Sequence, residues 1–256
     1  MKIAVCQFDI TYEKKEQNLI RAERFIMEAA VQGAELIVFP EMSFTGFSMN
    51  TELTGEDQEE TLLRMKSAAA NERIAVGFGW VKHKANAENH YTIVGEDGIV
   101  AGDYIKIHPF SYAGEEKCFA AGKSPCTFIY KDICFGISIC YDLRFPELYQ
   151  ELTKQAHVIL VPANWPEKRH VHWQTLLRAR AIENQVYMIG VNCCGMQGGI
   201  SYSGHSSAVN PEGEVLFETE GREALQIIEI LDDTEIYRKK FPTKKDRKPS
   251  LYKTFY

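Results

Sequence analysis

The run Glu35-Leu36-Ile37-Val38-Phe39 constrains the fold more than any other part of the chain. It is too short for a helix of ordinary length, and after Glu35 it has no polar position. A strand of that kind has no face to offer water, so it must be covered on both sides. His157-Val158-Ile159-Leu160-Val161 repeats the pattern. Helices to cover such strands are present. Over 16–32, Leu19, Ala22, Phe25, Ile26, Ala29 and Ala30 recur at helical spacing, and Gly33 follows as a stop.

The same reading predicts strands over 2–8, 74–81 and 186–192, and helices over 57–71, 146–154 and 171–184. Three hairpins are expected. One joins 91–95 to 99–105 through Glu96-Asp97-Gly98, and one joins 127–130 to 133–139 across Lys131-Asp132. The third joins 206–210 to 214–217 through Pro211-Glu212-Gly213. A last strand is expected over 223–230. No Pro/Gly/Ser linker and no repeat interrupts the 256 residues. The expectation is an α/β chain of one domain, 1–256, with mixed sheets covered by helices.

Composition removes several classes of function. Apolar residues make up 45% and charged residues 25%, enough apolar surface to offset ordering entropy, so disorder is excluded for the bulk. No apolar run approaches the ~20 residues of a membrane-spanning helix. The opening apolar run breaks at Gln7 and Asp9, too early for a secretory signal. A net charge of −6 argues against a dedicated nucleic-acid binder. The seven cysteines are odd in number and include no Cys-x-x-Cys pair, so neither a disulfide framework nor a structural zinc site is expected. A cytoplasmic location follows as the simplest expectation.

Three chemically unusual residues fall at the ends of predicted strands. Cys140 follows the strand over 133–139 and precedes a turn into a helix, whose N-terminus would favour thiolate. In that strand Cys134, Gly136 and Ser138 share one face, leaving room for another element to approach. Glu41 follows the strand over 35–39, where desolvation would raise its pKa toward that of a general base. Lys106 follows the strand over 99–105, where a fixed ammonium could hold an oxyanion. Strand ends can converge on one edge of a sheet layer. The seven histidines offer no decisive partner for a Cys–His hydrolase, and His170-x-His172 would point apart on a helix. There is also no GxSxG elbow, Walker loop or dinucleotide glycine pattern.

Val38-Phe39-Pro40-Glu41, Tyr104-Ile105-Lys106-Ile107-His108 and Ile139-Cys140-Tyr141-Asp142-Leu143-Arg144-Phe145-Pro146-Glu147 together resemble the carbon–nitrogen hydrolase (nitrilase) superfamily. The resemblance extends to Gln7, to Pro162-Ala163-Asn164-Trp165-Pro166 and to the Asn210-Pro211-Glu212-Gly213 turn. The stretch from Asn164 through Asn184, with Tyr237-Arg238-Lys239-Lys240-Phe241-Pro242, is most similar to the ω-amidase branch. The resemblance implies a four-layer α-β-β-α sandwich, usually a homodimer. It implies hydrolysis of a small-molecule terminal carboxamide, such as 2-oxoglutaramate or 2-oxosuccinamate, with no metal or organic cofactor. N-carbamoyl amide hydrolysis and deaminated glutathione amidase activity use the same catalytic set, and a non-catalytic binding protein on the same fold is the alternative of another class.

By the resemblance, Glu41 is the base, Cys140 the nucleophile and Lys106 the oxyanion holder, helped by the backbone N–H of Tyr141. A second glutamate is expected between Lys106 and Cys140. Glu115 and Glu116 both qualify, and Glu115 is preferred for its distance from Gly122. A substrate carboxylate needs a cation. Arg169 is the preferred candidate, Trp165 is expected to line the pocket, and Arg144 is expected to brace its corner by pairing with Glu147 or another acid. No nucleic-acid or membrane partner is expected.

The stretch 237–256 holds eight basic residues and one acid, a charge of +7 that leaves −13 on the rest. Tyr237, Phe241, Tyr252, Phe255 and Tyr256 interleave with the charges. An arm that docks its aromatics on its own acidic body, or on a second subunit, is favoured over an anion-binding patch.

Overall fold

A computed structural model of the chain describes residues 1–231 and 233–252. In chain order the elements are β1 (Lys2–Gln7), α1 (Lys15–Val31), β2 (Leu36–Val38), α2 (Thr51–Thr54), α3 (Glu60–Glu72), β3 (Ala75–Lys82), β4 (Glu88–Val94) and β5 (Val100–Ile105). The second half continues with β6 (Cys126–Tyr130), β7 (Ile133–Ile137), α4 (Pro146–Leu152), β8 (Val158–Ala163), α5 (His170–Asn184), β9 (Tyr187–Asn192), β10 (Cys194–Gln197), β11 (Ile200–Val209), β12 (Val215–Glu220) and β13 (Ala224–Glu229). Three short helices close it: α6 (Thr234–Lys240), α7 (Thr243–Asp246) and α8 (Pro249–Tyr252).

Two sheets stack face to face. One runs β13-β1-β2-β3-β4-β5; the other runs β10-β11-β9-β8-β7-β6, with β12 on β11. The centre of each is parallel (β1–β2–β3 and β7–β8–β9) and the flanks are antiparallel. Alternation explains the apolar runs. Leu36 and Val38 join Phe135, Ile137, Val158 and Leu160 in the core between the sheets. Ile37 and Phe39 turn the other way, onto Leu19, Ala22 and Ile26 of α1 and Met65 and Ala69 of α3. Ile159 and Val161 likewise face Leu148 and Leu152 of α4 and Trp173 and Leu177 of α5. The layers are helices, sheet, sheet, helices, as the resemblance implied.

The small face of the strand before Cys140 does admit a neighbour. A Cβ on Gly136 would lie 2.6 Å from Ile159 and 3.4 Å from Leu152 of α4. Ser138 Oγ meets the Tyr149 hydroxyl at 2.6 Å.

Several sequence boundaries shift. β4 begins at Glu88 rather than 91, because it pairs with β3 back to Glu88↔Lys82. β10, with glycine at 195 and no alternation to betray it, is held by pairing with β11. The strand into Cys140 ends at Ile137, and a tight 3-10 turn over Cys140–Arg144 intervenes before α4.

The basic arm docks on its own body, but through cations more than aromatics. Arg238 Nη2 donates to the Ala156 carbonyl at 3.0 Å and Lys244 Nζ to the Thr153 carbonyl at 2.6 Å, just past the C-terminal end of α4 where carbonyls are exposed. Tyr237 lies beside Glu212, which raises its phenol. Phe241 and Tyr252 stay exposed, which departs from the expectation of aromatic packing. Lys253, Phe255 and Tyr256 lie outside the described residues. No helix of the described residues is long and apolar enough to cross a membrane.

Candidate active site

Glu41, Lys106, Glu115 and Cys140 come from four separate segments and meet at the edge of the two sheets. Glu41 sits just beyond β2, where the chain is laced against β3. Ser43 N–H donates to the Gly79 carbonyl at 3.0 Å, and Gly79 N–H donates to Ser43 Oγ at 2.8 Å. A Cβ on Gly79 would stand 2.3 Å from the Met42 nitrogen and 3.1 Å from Glu41 Cα, so only glycine lets the Glu41 backbone pass.

Both carboxylates and the ammonium are fully buried. Lys106 Nζ donates to Glu41 Oε1 at 2.8 Å and to Glu115 at 2.8 and 3.0 Å. Asn89 Nδ2 donates to Glu41 Oε1 at 2.9 Å and to Glu115 Oε1 at 3.3 Å. The Phe110 N–H reaches Glu115 Oε2 and the Asn164 N–H reaches Glu41 Oε2, the latter at 3.0 Å. Every neighbour of Glu115 donates, which is the environment of an ionised carboxylate. Burial alone would push the Lys106 ammonium down, yet Glu115 and Glu41 overcome it and hold it well above the usual lysine range. Burial raises the Glu115 carboxyl, Lys106 opposes that, and Glu41 adds to it. Glu116 is exposed to solvent, so the geometry separates the two members of the doublet.

Cys140 opens the 3-10 turn with φ +48°, a left-handed conformation unusual for a residue with a side chain. Asp142 holds that corner. Its Oδ2 accepts from Ile139 N–H at 2.9 Å and the Tyr104 hydroxyl at 2.8 Å, and its Oδ1 accepts from His108 N–H at 3.0 Å. Arg180, on α5, donates twice to the Leu143 carbonyl in the same turn, at 3.0 and 3.2 Å.

The thiol itself departs from the sequence expectation. Burial pushes it well above the usual thiol range, Glu41 pushes the same way, and Lys106 only partly offsets them. A single short turn beside an anionic carboxylate does not deliver a resting thiolate. The Cys140 Sγ donates to the Asn164 carbonyl at 3.9 Å, and Glu41, whose charge raises the thiol, is the base beside it that can take the proton. Iodoacetamide is therefore expected to modify Cys140 ahead of the other six thiols at pH 7. Its rate should stay nearly flat from pH 7 to 9, instead of rising about tenfold per pH unit below an ordinary thiol pKa of ~8.5. Peptide mapping by mass spectrometry reads this. A steep rise across that range would mean a free thiol titrating without Glu41.

The cysteine opens on a cleft of about 420 Å³. Tyr141, Trp165 and Arg169 all line it, together with Phe47, Phe110 and Tyr202. Trp165 serves two ends: its ring packs on Trp173 at 5.5 Å, and its Nε1 donates to the Arg169 carbonyl at 2.8 Å. Arg144 also lines the cleft, which corrects the expected pairing with Glu147. Its guanidinium lies 4.7 Å over the Trp165 ring and 3.2 Å from His172 Nδ1. Arg169 lies 5.4 Å over Phe110. Among the described residues neither arginine has a carboxylate partner, and burial together with the charge of Arg169 lowers the Arg144 pKa. No group of three or more potential metal ligands occurs among the described residues.

Sequence reasoning passed over the amides and the acid that orient the site. Asn164 follows the apolar strand β8 as Glu41 follows β2, so the polar-after-apolar signal was available for it. Asp142 carried a signal only through its place two residues after Cys140. Asn89 had none.

The model of the carbon-nitrogen hydrolase family matches residues 2–238, and the chain belongs to that family. It is thus a hydrolase of the class that acts on amides. A 2-oxoglutaramate amidase of Bacillus subtilis (strain 168) is 34% identical, with 98% of each chain covered. An omega-amidase of Escherichia coli (strain K12) is 32% identical, with 96% of each covered. Among solved structures, the CN-hydrolase superfamily protein XC1258 of Xanthomonas campestris superposes with a TM-score of 0.91 at 26% identity over 97% of each chain.

Proposed function

We propose that the protein is an ω-amidase, hydrolysing the terminal carboxamide of a 2-oxo acid such as 2-oxoglutaramate or 2-oxosuccinamate through a Cys140 thioester. The observation that carries this reading is one cleft holding Cys140 and Lys106, with Glu41 behind them, and two guanidiniums without acid partners on its wall. The sequences of the two amidase relatives support it.

Glu41 takes the thiol proton as sulfur attacks the amide carbon. The carbonyl electrons move to oxygen, and Lys106 and the Tyr141 N–H hold that oxyanion. Lys106 must redirect one N–H to do so. The bond to Glu115 Oε1 is the one it can give up, because Glu115 Oε2 still keeps its own. Glu41 then returns the proton to the nitrogen as the C–N bond breaks, releasing ammonia. Water attacks the thioester with Glu41 again as base, the C–S bond breaks, and the proton returns to sulfur. Glu115 positions Lys106 throughout. No step calls for a metal or organic cofactor.

The carboxylate of the substrate meets Arg144 and Arg169, with Trp165 as a flat wall between them and the core. The same two cations disfavour an α-ammonium. A screen of ammonia release is therefore expected to rank 2-oxoglutaramate and 2-oxosuccinamate at least tenfold above glutamine in kcat/KM. N-carbamoyl compounds, deaminated glutathione and nitriles should fall below them. A preference for any of those three overturns the ω-amidase reading. Arg144→Ala is expected to raise KM for 2-oxoglutaramate by about 10- to 100-fold with a smaller change in kcat, as loss of a charged anchor predicts. An unchanged KM would remove the carboxylate from this wall.

We read the chain as one domain that works as a homodimer in the cytoplasm. Seven free cysteines support a reducing compartment, and the exposed Phe241 of the arm, with Ile236 just before it, supports self-association.

A further inference from the structure

The two ends of the cleft carry opposite charge. Along the wall stand Arg144 and Arg169. At the bottom, behind Cys140, the buried cluster holds two carboxylates, Glu41 and Glu115, against the single ammonium of Lys106. Donors occupy both oxygens of each carboxylate. Lys106 and Asn89 meet Glu41 Oε1 and the Asn164 N–H meets Glu41 Oε2, while Lys106, Asn89 and the Phe110 N–H satisfy Glu115. Among the described residues neither oxygen pair hydrogen-bonds an acceptor that would call for a carboxylic-acid proton, so two carboxylates against one ammonium leave the cluster a net charge of −1. The sulfur in front of it adds no positive charge. The remaining neighbours, Asn89, Asn164 and the Phe47 ring 5.4 Å from Lys106 Nζ, are neutral.

We propose that this net-negative floor is an electrostatic filter that admits a neutral carboxamide and rejects the carboxylate into which it is converted. The proposal rests on the amidase reading and deepens it. The substrate brings one negative charge, which the arginines take, and an uncharged amide, which reaches the floor. Hydrolysis replaces the amide by an acid that loses its proton to solvent, leaving a second carboxylate against Lys106, with Glu41 and Glu115 directly behind that ammonium. Like charges at such short range in a water-poor site repel strongly, because the low effective dielectric screens them little. The product is expelled from its distal end while its proximal end is still held. The filter leaves the reaction's equilibrium untouched. It sets the affinity ratio of amide to acid, and so keeps the enzyme free of inhibition by its own product.

The test measures binding without turnover, in a Cys140→Ala background. Titration calorimetry with 2-oxoglutaramate and with 2-oxoglutarate should give a dissociation constant at least 30-fold weaker for the acid. Adding Glu115→Gln, or separately Glu41→Gln, removes one negative charge with little change of shape. Each should bring the ratio below about fivefold, mainly by tightening the acid. Two variants guard against one of them failing to fold, which a thermal melt reports. Equal binding of acid and amide in Cys140→Ala overturns the proposal, and so does a ratio unchanged in whichever neutralised variants fold. If 2-oxoglutaramate is neither bound nor hydrolysed, the ω-amidase reading fails. The filter is then read from propionamide and propionate by ligand-observed NMR, with the same 30-fold and fivefold limits.

Discussion

Cys140→Ala is expected to lower ammonia release from 2-oxoglutaramate by about ten-thousandfold or more while the protein stays folded. The loss is large because, among the described residues, no other thiol lines the cleft to take over the thioester route. The residual rate comes from binding and oxyanion stabilisation alone, by analogy with other hydrolases whose nucleophile is removed. Folding is spared because the change deletes one sulfur at the open side of the turn. The elbow itself is held by Asp142, through Ile139 and Tyr104, and by Arg180. Circular dichroism and the melting temperature report the fold, and a coupled ammonia assay reports the activity. Retained ammonia release with an intact fold would remove the covalent mechanism.

Lys106→Met is expected to unfold the protein more readily, by about 3–5 kcal/mol, the usual cost of stripping the counter-ion from a buried charge. In a chain of this size that corresponds to a fall in melting temperature of about 10 °C. Glu41 and Glu115, both fully buried, would face each other with only Asn89 between them. The pH dependence has a definite sign. Burial and Glu41 already raise the Glu115 carboxyl, and Lys106, with a smaller share from the Phe110 N–H, pulls it down. Without Lys106, Glu115 would have a folded-state pKa further above its unfolded value. Such a group contributes stability that is fully present below the unfolded pKa and lost as pH rises through the folded one. The gap between Lys106→Met and the unsubstituted protein should therefore narrow from pH 8 to pH 5. Thermal melts across that range read it. A gap that widens toward acid would show that the two carboxylates do not bear on each other.

The layered architecture was legible because a strand buried on both faces has no alternative to a continuous apolar run. Leu36 to Phe39 and Val158 to Val161 announce themselves for that reason. The strands that pairing alone defines were not legible: β10 has glycine and a mixed face, and the first residues of β4 are Glu88-Asn89-His90. Of the site, Glu41, Lys106 and Cys140 could be picked out because each is a reactive group at the end of a strand that the sequence predicts. The doublet Glu115-Glu116 could not be divided by its own sequence with physical force. The structure divides it by burying one member against Lys106 and leaving the other in water. Arg144 was misassigned because a neighbouring acid at 147 is the obvious partner along the chain. In space the guanidinium turns onto Trp165 instead.

The amino-acid sequence alone determined which strands are buried, in what order the helices cover them, and which three side chains could do chemistry. Those properties follow from local periodicity and residue type. Only the tertiary structure decided that Glu41 and Lys106, 65 positions apart, share a hydrogen bond, and that burial and Glu41 push the Cys140 thiol up. The protonation state of a buried group depends on desolvation and on charges brought from distant segments, and neither quantity exists until the chain has folded.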